Sequence, residues 1–182
     1  MTRTAITLTC LLLAATPAAA QTPSYGAMTD RPIKALSAED IAGLRAGRGM
    51  AMALPAELNR YPGPMHALEH GAALGLTAAQ TEALAGQMVA MRSAAVTLGE
   101  KIVVREGELD ALFASGAADA AGIDRLTGEI ARLYGELRAV HLRTHLATRA
   151  TLDAAQLAAY QTARGYDGSA APGQTPKPTH KH

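Results

Sequence analysis

Histidine is the one residue type in this chain whose spacing suggests site chemistry. His66 and His70 stand four apart with Glu69 between them, and His141 and His145 are again four apart. On an α-helix, positions i and i+4 share a face, so each pair can turn two imidazoles toward one divalent ion. Four imidazoles, or three with Glu69 or Glu82, suit Zn²⁺, Ni²⁺ or Co²⁺. A plainer account competes with this. Arg138, Arg143 and Arg149 surround the second pair and oppose a cation, and His66 and His70 read equally well as solvated side chains. His180-Lys181-His182 reads as a solvated tail.

Other residues offer less. Met50, Met52 and Met65 invite a soft-metal reading, but Met88 and Met91 fall on a helical seam, and gap filling accounts for the methionines. Glu106, Glu108 and Asp110 suit a solvated face. Gly47-Arg48-Gly49 is no phosphate loop, because no strand precedes it and no Lys-Ser/Thr follows. The chain shows no nucleophile–base pairing, no Gly-x-Ser-x-Gly and no His-Glu-x-x-His. An enzyme is not expected.

The elements that must position the histidines are marked by a repeat. Leu76-Thr77-Ala78-Ala79-Gln80 returns as Leu152-Asp153-Ala154-Ala155-Gln156. Each copy reads as a helix start, with Thr77 or Asp153 at the N-cap and Gln80 or Gln156 reaching back from N3. After Thr77, apolar residues recur at Leu84, Met88, Met91, Ala95, Leu98, Ile102, Leu109 and Leu112, a heptad seam interrupted by Arg105. Ala114 to Gly122 is the turn. The pattern resumes at Leu126, Ile130, Leu133, Leu137, Val140, Thr144 and Ala147. Two matched seams with a short connection predict an antiparallel hairpin.

Shorter elements flank it. Ser37 starts a helix that ends near Gly47-Arg48-Gly49, Ala51–Asn59 adds a helical turn, and Tyr61-Pro62-Gly63-Pro64 breaks the chain. A short helix follows from Met65 to Leu74, and a terminal helix runs from Asp153 to Arg164. The expectation is an all-α fold with a long hairpin and short flanking helices. With the turn centred near residue 117, His141 and His145 lie level with about residues 93 and 89, and His66 with about residue 86. Both pairs then sit at one end. The hairpin leaves apolar surface uncovered, which predicts a homodimer, the alternative being that the terminal helices fold back and complete a monomeric four-helix bundle.

Residues 1–20 carry Arg3, an apolar run from Ala5 to Ala15, and Ala18-Ala19-Ala20. This is the pattern of a signal peptide cleaved after Ala20. Cys10 lies in the apolar run behind Leu8-Thr9, so lipidation is not expected, and the mature chain is read as lacking Cys. Removing residues 1–20 deletes one Arg and no acid, so 17 basic against 16 acidic residues becomes 16 against 16. That neutrality offers no bulk electrostatic case for nucleic acid or anionic membrane. Aromatics make up 3% and Trp is absent, which favours small-residue helix packing over a sandwich or barrel. The organisation expected is a signal segment 1–20, a flexible leader with a short helix 21–60, a helical domain 61–166 and a disordered tail 167–182.

With an export signal, Leu76-Thr77 with Gln80, Leu152 with Gln156, and a long hairpin, the chain resembles the Spy/CpxP periplasmic proteins and their heavy-metal-sensing and zinc-resistance relatives. That family carries paired Leu-Thr-x-x-Gln motifs. The second copy departs, with Asp153 in place of Thr, although Asp caps equally well. The resemblance spans about Pro62 to Tyr166. It implies a curved periplasmic dimer that acts as an ATP-independent holdase for unfolded proteins, as a partner of an envelope sensor protein, or as a metal-responsive sensor. The nickel–cobalt sensing branch is similar in pairing His on its first helix and placing a His, then a Met one turn later, on its third. His145 stands where that Met would be, which implies a harder, all-nitrogen site.

Overall fold

The computed structural model describes residues 25–167; residues 1–24, with Cys10 and the expected cleavage position, and residues 168–182, with His180 and His182, lie outside the described residues. Those described form helices and no strand: α1 (Ala38–Arg45), α2 (Leu54–Glu57), α3 (Pro64–Glu69), α4 (Gly71–Leu74), α5 (Ala78–Ala114), α6 (Ala120–Thr151) and α7 (Ala154–Ala163), after a 3₁₀ turn at Tyr25–Met28. No helix among them is long and apolar enough to cross a membrane.

Both repeats cap helices as their residues dictate. Gln80 N–H donates to Thr77 Oγ1 at 3.2 Å while Gln80 Oε1 accepts from Thr77 N–H at 3.0 Å. At α7 the same exchange runs between Asp153 and Gln156 at 2.8 and 3.0 Å. Between them, α5 and α6 pack as an antiparallel hairpin. Arg105 bridges to Glu129 at 2.6 Å and Thr148 donates to Gln87 at 3.0 Å, the register of a turn centred near residue 117.

The α6 seam departs from strict heptads. Leu126, Ile130, Leu133 and Leu137 are buried as expected, but His141 and Thr148 then take the inward positions, and Ala147 is exposed. A straight α-helix drifts about 20° per heptad against a 3.5-residue repeat, so the inward stripe slides by one residue. That drift carries His141 from the flank into the core.

Residues 25–60, expected as a leader, are largely part of the fold. Ile33, Leu36 and Leu44 are buried against Ala95, Ile102, Val103, Leu133 and Leu137. A Cβ on Gly99 would lie 2.1 Å from the Leu44 carbonyl oxygen, so α1 can cross α5 closely only where a side chain is missing. The Lys34 N–H donates to Asp110 at 3.0 Å and pins the segment before α1. Burying an apolar stripe removes surface from water whichever chain does it. This segment therefore takes part of the face that a second copy was expected to cover. At the open end of the hairpin, Ala67, Leu74, Leu84, Leu152 and Tyr160 form a second core that locks α3, α4 and α7 onto α5.

The helix expected over Met65–Leu74 breaks in two. The backbone bends at His70 (φ −95°, ψ 14°), just ahead of Gly71, a poor residue for a helix interior. His66 lies in α3, and His70 is the joint between α3 and α4.

Candidate functional site

Near the open end, a cavity of about 520 Å³ lies between the hairpin and the segments that cover it. Helix α5 supplies Met88, Met91 and Arg92, and α6 supplies His141 and His145. The chain between α1 and α2 adds Arg48 and Met50, and α3 adds Met65 and His66. Residues from four separate stretches meet here because α5 and α6 run level while the Gly47 turn (φ 63°) folds the loop back against Arg92 and Val96.

The three histidines on the cavity are prepared in related ways. His145 Nδ1 lies 2.7 Å from the Tyr61 carbonyl oxygen. A carbonyl can only accept, so Nδ1 carries a hydrogen. His66 Nδ1 lies 2.7 Å from Glu69 Oε2, and that carboxylate holds its ring in the same sense. The same hydrogen bond lowers the pKa of Glu69. His141 is only 2% exposed, and its Nε2 is a buried polar atom with no hydrogen-bond partner. Burial, and then the neighbouring His145, lower the His141 pKa and favour the neutral ring. In His66 and His145 the Nδ1 contacts fix the orientation of the ring, and the Nε2 edge of His145 packs over Gly63.

Two polar clusters frame the cavity. Glu57, 7% exposed, accepts from the Tyr160 hydroxyl at 2.5 Å, the Tyr166 hydroxyl at 3.1 Å and the Gly63 N–H at 3.3 Å. Arg164 stands 3.5 Å from the same carboxylate and His145 3.7 Å away. Burial, and the hydrogen bond and charge of Glu57, raise the Tyr160 pKa well above the usual phenol range. Beyond it, the two motif glutamines meet. Gln80 Nε2 donates to Gln156 Oε1 at 2.8 Å and Gln156 Nε2 donates back at 2.9 Å. Gln80 also donates to the Thr151 carbonyl at 3.0 Å. Each cap glutamine thus holds its own helix start and the other's, so the repeat clamps the mouth of the hairpin.

His66, His141 and His145 therefore come together on one cavity, as the register argument expected, while His70 does not line it and Glu82 is exposed. No group of three or more His, Cys, Asp or Glu among the described residues is close enough to hold an ion. The arginines that weighed against a cation also change. Arg138 and Arg143 are exposed and off the cavity, and Arg149 lies 4.8 Å over the Tyr61 ring and bonds the Arg60 carbonyl. The cations on the cavity are Arg48 and Arg92.

Sequence reasoning set aside the methionines that line the wall, although the register placing His145 level with residue 89 already put Met88 and Met91 beside it. Glu57 carried no local signal, since its partners lie about a hundred positions along the chain. Comparison with protein-family models, with curated proteins and with solved structures found no match to this chain.

Proposed function

We propose that this is an exported, non-catalytic periplasmic protein that responds to a metal cation taken up in the cavity between α3, α5 and α6. The observation that supports this reading is that His66, His141 and His145, from two separate helices, line one cavity. The sealed Nε2 of His141 has no hydrogen-bond partner, which costs about 1–3 kcal/mol, and a cation reached by a turn of the ring would remove that cost. His145 and His66 line the same cavity. A cation that binds the folded chain alone raises the melting temperature by mass action. Thermal melts of the full chain with and without Cu(I), Ag(I), Zn²⁺, Ni²⁺ and Co²⁺ test the proposal, and His141→Leu is expected to remove the shift. No shift with any of the five would end it.

A second reading, a holdase for unfolded proteins, rests on a different observation. Met50, Leu54, Leu58 and Met65 are exposed apolar side chains on the segments around the cavity, and methionine adapts readily to varied apolar surfaces. Suppression of aggregation of a denatured client at near-stoichiometric ratio tests it. The expected two-copy assembly belongs with this reading. Val89, Val104, Phe113 and Leu146 stay exposed along the hairpin, and sedimentation at several concentrations decides whether a second copy covers them.

A further inference from the structure

The two sides of the cavity are held in different ways. Met88 and His141 stand on the long helices, whereas Ala53, Leu54 and Glu57 belong to the chain around α2. Between Gly47 and Pro62 that chain buries a single residue, Glu57. Leu54 and Leu58, one turn apart, are 48% and 60% exposed, and only Met52 rests against the first hydrophobic core. Helix α2 has four residues and no side-chain cap, too little to persist without tertiary support. The backbone N–H groups that bond from Met52 to Tyr61 all find their acceptors within the segment itself.

Both ends of this segment are seated, and both are strained. At the first, the Gly47 turn packs on α5, and the Met50 thioether covers Gly43 of α1, where an added Cβ would lie 2.8 Å from the sulfur. At the second, His145 and Arg149 donate to the Tyr61 and Arg60 carbonyls at 2.7 and 2.6 Å, and Pro62 to Pro64 are buried. Beside these anchors stand the only non-glycine residues with positive φ among the described residues: Met50 at 42°, Ala51 at 61° and Arg60 at 68°. Left-handed backbone is unfavourable for an L-residue and persists only where the surroundings impose it. Lifting the segment between them would release that strain. What holds the segment down is Glu57, through the Tyr160 and Tyr166 hydroxyls and the Gly63 N–H.

We infer that residues 51–59 are a lid on the cavity, hinged at Met50–Ala51 and at Arg60 and latched by Glu57, which lifts as a unit while α5, α6 and α7 stay folded. Opening removes one wall of the cavity and widens the way to Met88 and to the sealed ring of His141. The inference goes beyond the cation reading, because it states how the cavity opens whatever enters it. Its test uses no ligand, so the two can fail separately.

Native-state hydrogen exchange of the full chain at increasing urea is the test. The Gly63 N–H is the reporter, because its bond to Glu57 breaks when the latch releases. It is expected to exchange through an opening that urea barely promotes, since a small lid uncovers little surface. The buried Leu133 and Leu137 amides of α6 are expected to exchange only through the strongly urea-dependent unfolding of the whole chain. Glu57→Gln keeps the side chain's shape but removes the charge facing Arg164, and it is expected to speed Gly63 exchange about tenfold. Ala51→Gly relieves the closed backbone and is expected to slow it about threefold. The lid is overturned if Gly63 shares the urea slope of Leu133 and Leu137, if Glu57→Gln leaves its exchange unmoved, or if Ala51→Gly speeds it.

Discussion

Glu57 and His141 are both buried polar side chains near the open end of the hairpin, and the fold treats them oppositely. Glu57 accepts three hydrogen bonds and stands beside Arg164. His141, more deeply buried, leaves Nε2 with nothing. A satisfied buried polar group fixes the geometry of a core, whereas an unsatisfied one, such as His141 Nε2 or the Arg164 Nε beside Glu57, costs free energy. The Glu57 cluster ties α2 to α7, and the clasped glutamines tie the start of α5 to the start of α7. Together they hold the open end of the hairpin, while the buried Nε2 of His141 stays without a hydrogen-bond partner.

This contrast can be broken from either side. The largest effect is expected at Glu57. Glu57→Ala strands the Tyr160 hydroxyl and Arg164 and is expected to cost about 3 kcal/mol. Urea denaturation checks this, and a loss below about 1 kcal/mol would show that the cluster is ornamental. Next come the glutamines. Gln80→Ala and Gln156→Ala are each expected to cost about 1–2 kcal/mol, and the double variant less than their sum, because each single change already empties the reciprocal pair. A fully additive cycle would mean that each cap works alone.

His141 is expected to behave in the opposite way. His141→Leu removes a stranded polar atom and keeps an apolar volume, so near neutral pH its stability is expected to lie within about 1 kcal/mol of wild type, or above it. The sign of the pH dependence follows from the lowered pKa. The folded state binds fewer protons than the unfolded chain between the two pKa values, so stability rises with pH there. The contribution of the neutral ring is complete above the unfolded value of about 6.5 and is lost as pH falls toward the folded one. Urea midpoints above and below that pH should therefore move further apart in wild type than in His141→Leu. Equal slopes would mean that the ring is not held neutral. The smallest change is expected for Asp153→Thr, which restores the first copy's cap residue and should alter stability by only a few tenths of a kcal/mol. A loss beyond about 1 kcal/mol would give Asp153 a role other than capping.

Local rules carried much of this structure. Capping residues marked the starts of α5 and α7, apolar spacing marked the hairpin, and the turn position set which residues lie level. Thr77 with Gln80, Asp153 with Gln156, and the shared level of His66, His141 and His145 were legible because each depends on neighbours a few positions away or on one count along two straight helices. The slide of the seam onto His141 was not, because it accumulates over many residues from the mismatch between 3.6 and 3.5. Nor was the packing of Ile33, Leu36 and Leu44, since a segment rich in turn residues gives no sign of which face it will cover.

What the sequence determined by itself is therefore the helices, their ends and their register, because short-range hydrogen bonds and periodic burial decide those. Tertiary structure alone decided that Gln80 and Gln156 meet, that Glu57 finds two tyrosines about a hundred positions away, and that four methionines and three histidines share one cavity. Such contacts depend on how rigid elements stack, and stacking is settled by the apolar area that the whole chain can remove from water at once.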